Sequence, residues 1–321
     1  MKNNWPLSAV VATTVLASAA MAQQFAPAVT VAIPPARMAA AKEAGGAELG
    51  REVESLCVTS WHAKAHRDGS KMPAKLKFTL AEPRQVFDNL YWVGYKEIGA
   101  WILKTSKGLI LLDSLNSTED AEQVLVPQMT RLGLDPHQIK YVIVSHGHFD
   151  HFGGSAYLQR VYGARVAMGG PDWTYMAESR PFDPPFQAIA EKPKQDIMVR
   201  NLDRITVGDT TVTMFLTPGH TPGSLAMVFP VKSNGRVVKV VLIGGALPMQ
   251  TRDNLGWFEQ NLNRAAGAAG VVDIINSHPP VSDPNIRESL ESGKPATPWG
   301  WDKVRRLLKA GAECTADQLS G

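Results

Sequence analysis

Tyr141-Val142-Ile143-Val144-Ser145-His146-Gly147-His148-Phe149-Asp150-His151-Phe152-Gly153-Gly154 decides how the rest of the chain is read. Residues 141–144 are an unbroken apolar run, the pattern of a strand buried on both faces. Directly after it, His146, His148, Asp150 and His151 place four metal-binding side chains within six residues. His146 and His148 are two apart, so in an extended loop they point the same way. Asp150 continues that alternation and His151 breaks it, so one run can feed two neighbouring metal positions. Neutral imidazoles with one carboxylate suit zinc; a redox iron pair more often asks for extra carboxylates. Phe152-Gly153-Gly154 opens the next helix, and a loop at the carboxyl end of a strand is where α/β proteins place reactive groups.

Two further histidines extend the set. His220 lies in Thr217-Pro218-Gly219-His220-Thr221-Pro222-Gly223-Ser224, between two strand-like runs, where Gly219 and Gly223 permit close backbone approach. His278 follows the last strand-like run in Asn276-Ser277-His278-Pro279. Six ligands make two groups of three, and three ligands per ion leave a position open for water, the mark of a catalytic zinc centre. Asp113 ends an apolar run beside the histidine loop, either as the acceptor that orients a ligand imidazole or as a plain turn residue. Of the eight histidines, His62, His66 and His137 receive no role; His137, beside Pro136, is expected to face solvent.

Strand and helix signals alternate in two batches, roughly 85–170 and 200–310. Strands are expected at 86–94 (with a turn at Asp88-Asn89), 100–103, 109–112, 141–144, 164–168, 204–207, 211–216, 224–230, 237–243 and 271–276. Helices are expected at 118–132 (capped by Ser117 or Thr118), 155–162, 258–267 and 301–310. This argues an α/β layered fold with two sheets between helices. Residues 171–196 interrupt the rhythm with five prolines beside Trp173, Tyr175, Phe182 and Phe186, a packed loop or a pocket wall. Trp92, Trp173, Phe186 and Trp257 are pocket walls or core.

At the N-terminus Lys2, an apolar run over about residues 7–21 and Ala20-Met21-Ala22 form a secretory signal cleaved after Ala22. The run is short of the roughly 20 residues that span a bilayer, so no stable membrane anchor is expected. Residues 23–74 form an N-terminal arm whose Ala/Pro/Val-rich part, to about residue 48, reads as a flexible lead-in, with a short helix and loop around Cys57 and Trp61. The hydrolytic domain occupies 75–321. A periplasmic or secreted location changes the reading of the two cysteines: Cys57 and Cys314 either pair, tying the arm to the last helix, or stand as separate thiols, and an oxidising compartment favours the pair.

Composition sets the outer limits. Over 321 residues, 44% hydrophobic and 20% charged is ordinary globular usage. A formal charge of +3 without a long basic run predicts no nucleic-acid partner. Two cysteines exclude a disulfide scaffold and a Cys-rich zinc module. There is no nucleophile-elbow motif, and nothing fixes an oligomeric state.

The run His146 to His151, His220 in its Gly-His-Thr-Pro-Gly loop, and His278 together resemble the metallo-β-lactamase superfamily over roughly residues 85–310. The ligand set without cysteine, the Trp92-Val93-Gly94 run and the secreted context are most similar to class B β-lactamases of the third subclass. The resemblance implies an αββα sandwich carrying two Zn2+ per chain, His146, His148 and His220 holding one and Asp150, His151 and His278 the other. It implies a hydrolase acting on a small molecule with an activated carbonyl, in which zinc-bound hydroxide opens a β-lactam amide and Asp150 directs that nucleophile. A zinc hydrolase of another ester or lactone, and a non-catalytic zinc-dependent binding protein, are the other two readings. Where the subclass carries Asp-Ser-x-Ser after a strand, this chain reads Gly244-Gly245-Ala246-Leu247-Pro248. That stretch also lacks the bridging Asp of similar lactonases and glyoxalase-II-like thioesterases. Arg252 is either a substitute carboxylate anchor or a surface residue.

Overall fold

The computed structural model describes residues 34–54, 56–57, 78–178, 190–218, 220–245, 271–279 and 282–315. In chain order the elements are helix α1 Pro35–Gly45, a 3-10 turn Ala47–Leu49, strands β1 Arg84–Phe87, β2 Leu90–Gly94, β3 Gly99–Thr105 and β4 Gly108–Leu112, then helix α2, made of Thr118–Asp120, Ala121–Leu125 and Val126–Arg131. Strand β5 Ile139–Val144, helices α3 Phe149–Phe152 and α4 Ser155–Tyr162, strand β6 Arg165–Gly169, helix α5 Gly170–Ala177 and strand β7 Ile197–Val199 follow. The second half holds β8 Arg204–Val207, β9 Thr210–Leu216, β10 Leu225–Ser233, β11 Arg236–Ile243, β12 Val271–Ile275, α6 Pro284–Ser292 and α7 Trp301–Thr315.

The strands form a seven-stranded sheet in the order β1 to β7 and a five-stranded sheet in the order β12-β11-β10-β9-β8. Both are mixed: β4 to β7 pair in parallel and β1 to β4 antiparallel, while β12 runs parallel to β11 in an otherwise antiparallel sheet. The two-residue period of a strand divides the apolar runs between layers. Ile110, Leu112 and Ile143 face the second sheet and meet Met214, Met227, Phe229 and Leu242. Their neighbours Leu109, Leu111, Val142 and Val144 face outward onto Leu125 and Met129 of α2 and Leu158 of α4. The outer face of the second sheet, with Phe215, Val228, Val241 and Ile274, is covered by Ala41, Leu49, Val53, Val304, Leu307 and Leu308. The layers are therefore helix, sheet, sheet, helix, as the sequence implied. Among the described residues no helix is long and apolar enough to cross a membrane.

The flexible lead-in expected up to residue 48 is corrected over 35–45, which form α1 and pack on α7. Its sequence Pro-Ala-Arg-Met-Ala-Ala-Ala-Lys-Glu-Ala-Gly combines proline at the first helical position with alanine, the best helix former. Residues 50–54 and 56–57 are also helical, and the bond of Cys57 to Cys314 ties this segment to α7. The proline-rich interruption contains most of α5 and is followed directly by β7, which was unforeseen, as was α6. The signal segment, His62, His66, Phe186, Arg252, Trp257 and the helix expected at 258–267 lie outside the described residues.

Candidate metal centre

Strands from both sheets end at one edge, and the candidate ligands sit there. β4 delivers Asp113, β5 delivers Ser145 and His146, the β9–β10 connection delivers His220, and β12 is followed by Asn276, Ser277 and His278. Asp113 has φ 63°, a left-handed backbone that costs a non-glycine residue roughly 1–2 kcal/mol. The bend turns its buried carboxylate across three strand ends. It accepts from the Ser145 N–H at 2.6 Å, the Ser145 hydroxyl at 2.9 Å, His151 Nδ1–H at 2.7 Å and the Ser277 hydroxyl. Of the two alternatives for Asp113, the structure shows the one that orients an imidazole.

Each ring is held by one nitrogen and presents the other. His146 Nδ1 lies 3.0 Å from the Ser145 hydroxyl, and its Nε2 is buried without a hydrogen-bond partner. His278 Nδ1 is 3.0 Å from the Glu97 carbonyl oxygen, to which it donates, and its Nε2 comes 3.2 Å from His151 Nε2. Asp150 Oδ2 is 3.6 Å from His151 Nε2 and 3.5 Å from His278 Nε2 and accepts no hydrogen bond. His148 differs: its Nε2 lies 3.1 Å from the Tyr175 hydroxyl, which leaves Nδ1 as its second nitrogen. The rings of His146, His148 and His220 stand at centroid distances of 4.5 to 4.8 Å.

The six side chains fall into two groups, His146/His148/His220 and Asp150/His151/His278, each with its ligand atoms within 4.8 Å of one another. Burial pushes His146 well below the usual imidazole range, and the surrounding imidazoles add to the shift. Burial likewise brings His148 to about 4 and His278 to about 3. For His151 burial pulls down, but the charges of Asp150 and Asp113 and the Asp113 hydrogen bond outweigh it, so its pKa rises. Neutral imidazole is the form that donates to a metal. A buried polar atom without a partner costs about 1–3 kcal/mol, and a cation shared by His146 Nε2 or Asp150 Oδ2 and its neighbours removes that cost. The residues present therefore fit a metal ion in each group.

Several contributors went unread in the sequence. Ser145 and Ser277 each stand directly before a candidate ligand and meet on Asp113; the repeated Ser-His pair was the available signal. The Asn276 side chain donates to the Ile243 and Gly245 carbonyls and accepts from the His278 N–H at 2.8 Å. Gly245 has φ 81°, and a β-carbon there would lie 2.5 Å from His220. Asp172 was hidden in the proline-rich interruption, where Tyr175 was read only as part of a packed loop or a pocket wall. Trp92 and Trp173 are core, not pocket wall, and His137 is exposed.

Residues 98–233, which include the whole His146–His151 run and His220, match the family described as the metallo-beta-lactamase superfamily. Over residues 98–233 the sequence is that of a metallo-beta-lactamase superfamily domain. Among solved structures, a subclass B3 metallo-beta-lactamase of Bradyrhizobium japonicum is 26% identical with a TM-score of 0.60, covering 76% of this chain and 95% of that one. Among curated proteins, an N-acyl homoserine lactonase of Bacillus sp. is 28% identical over 173 residues, 45% of this chain and 62% of the lactonase. A hydroxyacylglutathione hydrolase of Rhodopseudomonas palustris is 30% identical over 103 residues, 32% of this chain and 34% of that enzyme. These matches span less than two thirds of either curated relative.

Proposed function

We propose that the chain is a secreted di-zinc hydrolase that opens the amide of a β-lactam ring. The observation that carries this reading is the pair of three-ligand groups at the edge where both sheets end. The likeness to a subclass B3 metallo-beta-lactamase over 95% of its length favours the lactam. His146, His148 and His220 would hold one Zn2+, and Asp150, His151 and His278 the other. When bound, the ions supply Lewis acidity toward a carbonyl oxygen and lower the pKa of water from about 16 to about 7.

The chain's own residues hold and direct. Asp113 and the Glu97 carbonyl grip the Nδ1 atoms of His151 and His278, so both Nε2 atoms face the site. The Asp150 carboxylate accepts a hydrogen bond from the attacking water and sets its line of approach. The water oxygen bonds to the carbonyl carbon, the C–N bond breaks, and the ring nitrogen leaves with a proton. Both cysteines are committed to the Cys57–Cys314 bond, so neither serves as a nucleophile. That bond, with the Lys2 and Ala20-Met21-Ala22 signal, supports export to an oxidising compartment.

A second reading, hydrolysis of a lactone or another ester, is favoured by the sequence matches to an N-acyl homoserine lactonase and a hydroxyacylglutathione hydrolase and by Gly244-Gly245-Ala246 in place of hydroxyl side chains. Zinc-quantified protein assayed on nitrocefin, a carbapenem, an N-acyl lactone and an aryl ester, beside His148→Ala, separates the two. Lactam turnover lost in the variant supports the first reading. Two bound zinc ions with turnover confined to lactones or esters replaces it with the second, and tight zinc without any turnover would leave a binding protein.

A further inference from the structure

Asp172 sits in α5, on no element that supplies a candidate ligand, and is 0% exposed. Its Oδ2 accepts from the Gly147 N–H at 2.6 Å and from the Thr221 hydroxyl at 2.6 Å, and its Oδ1 from the Gly223 N–H at 2.7 Å. All three partners are donors, the set that an ionised carboxylate, which only accepts, requires. Gly147 lies between His146 and His148, and Thr221 directly follows His220. One side chain thus fastens the backbone between two imidazoles of the first sheet's loop to the residues beside the third imidazole, on the second sheet's loop. The two glycines make the approach possible: a β-carbon on Gly223 would lie 2.6 Å from the Asp172 nitrogen, and one on Gly147 3.2 Å from its carboxyl carbon. One helical turn on, Tyr175 puts its hydroxyl 3.1 Å from His148 Nε2. The second group has its own fastening through Asp113 and the Glu97 carbonyl, neither of them in α5; Asp113 also reaches the first group through the Ser145 hydroxyl beside His146 Nδ1.

Resting on the two-metal reading above, we propose that Asp172 is a positioning residue that sets the spacing of the His146/His148/His220 group, with Tyr175 fixing the His148 ring. The first metal position depends on this clamp and the second does not. Charge-assisted bonds to backbone N–H are the strong kind, and partners that orient ligands typically govern metal affinity by about 10- to 100-fold.

The test loads full-length wild type, Asp172→Asn, Thr221→Val and His278→Ala with Co2+ and with Zn2+, and reads visible spectra and chelator competition for each ion. Asp172→Asn is expected to weaken one ion by about 10- to 100-fold, to perturb the three-histidine cobalt band, and to spare the ion that His278→Ala loses. Thr221→Val, which removes one donor and keeps the carboxylate, should move the same ion by a smaller factor and serves if Asp172→Asn does not fold. Two ions held by Asp172→Asn or Thr221→Val with wild-type affinity and spectrum would overturn the clamp while leaving the two-metal reading standing. Wild type that binds no metal would overturn both.

Discussion

Replacing Asp113 by asparagine changes one oxygen to an amide and nothing else in volume. Four donors converge on this carboxylate: the Ser145 N–H, the hydroxyls of Ser145 and Ser277, and His151 Nδ1–H. If the asparagine oxygen keeps the Ser145 N–H, its NH2 group points at the other three. The serine hydroxyls can rotate and accept. His151 can answer only by changing tautomer, so that Nδ1 accepts and Nε2 carries the proton. A protonated Nε2 cannot ligate, and it is this atom that stands 3.2 Å from His278 Nε2. The second metal position should therefore lose about 10- to 100-fold in affinity, which is about 1.4 to 2.8 kcal/mol at 1.4 kcal/mol per tenfold. The apo fold should lose a further 1–3 kcal/mol, roughly, for the imperfectly paired buried donors. Chelator competition followed ion by ion measures the first quantity, and urea unfolding of metal-free protein the second. Asp113→Asn that retains both ions at wild-type affinity would refute the argument, because the tautomer lock would then be idle.

Three more perturbations probe the frame around the site. Asp273 and Asp283 are a buried carboxyl pair; burial first, then the Asp283 charge, raises Asp273 to about 10, and burial raises Asp283 to about 6. Both folded pKa values lie above the unfolded ones, so the fold keeps protons that the unfolded chain releases. The pair's contribution to stability is therefore greatest below about pH 4 and falls as pH rises toward 6 for Asp283 and 10 for Asp273, by about 1.4 kcal/mol per pH unit for one retained proton. Urea midpoints between pH 7 and 9 should fall in wild type and stay flatter in Asp273→Asn; parallel curves would count against the pair. Gly245→Ala should cost at least the roughly 1–2 kcal/mol of a left-handed alanine and displace His220, seen as weakened metal binding together with a lowered thermal midpoint. Cys57→Ser with Cys314→Ser opens a loop spanning 257 positions and should lower unfolding free energy by about 2–5 kcal/mol; an unchanged denaturation curve would mean the α1–α7 contact alone holds the segment.

The strands were legible because each carried its own signal. Leu109 to Leu112 and Tyr141 to Val144 are apolar on both faces, which only a sheet covered on two sides allows, and Asp88-Asn89 marked its turn. The early helix was not legible because its alanines were read as composition, although alanine is itself a helix signal once a partner such as α7 is present. α5 was obscured by prolines, one of which simply occupies a first turn.

For the site, the six candidate ligands could be named from spacing alone: a run of His-x-His-x-Asp-His has few uses, and His220 and His278 each stand in a loop after a strand. The sequence also set the two-sheet plan, through strand periodicity, and made the Cys57–Cys314 pairing the favoured one. The division of the six into two groups was implied by the family resemblance, and the tertiary structure brings each group together from loops of different sheets. It also decided the roles of Asp113, Asp172, Tyr175, Ser145 and Ser277. A carboxylate that grips backbone N–H groups 25 to 51 residues away carries no local pattern, because its partners are defined by the packing of the two sheets and not by the chain beside it.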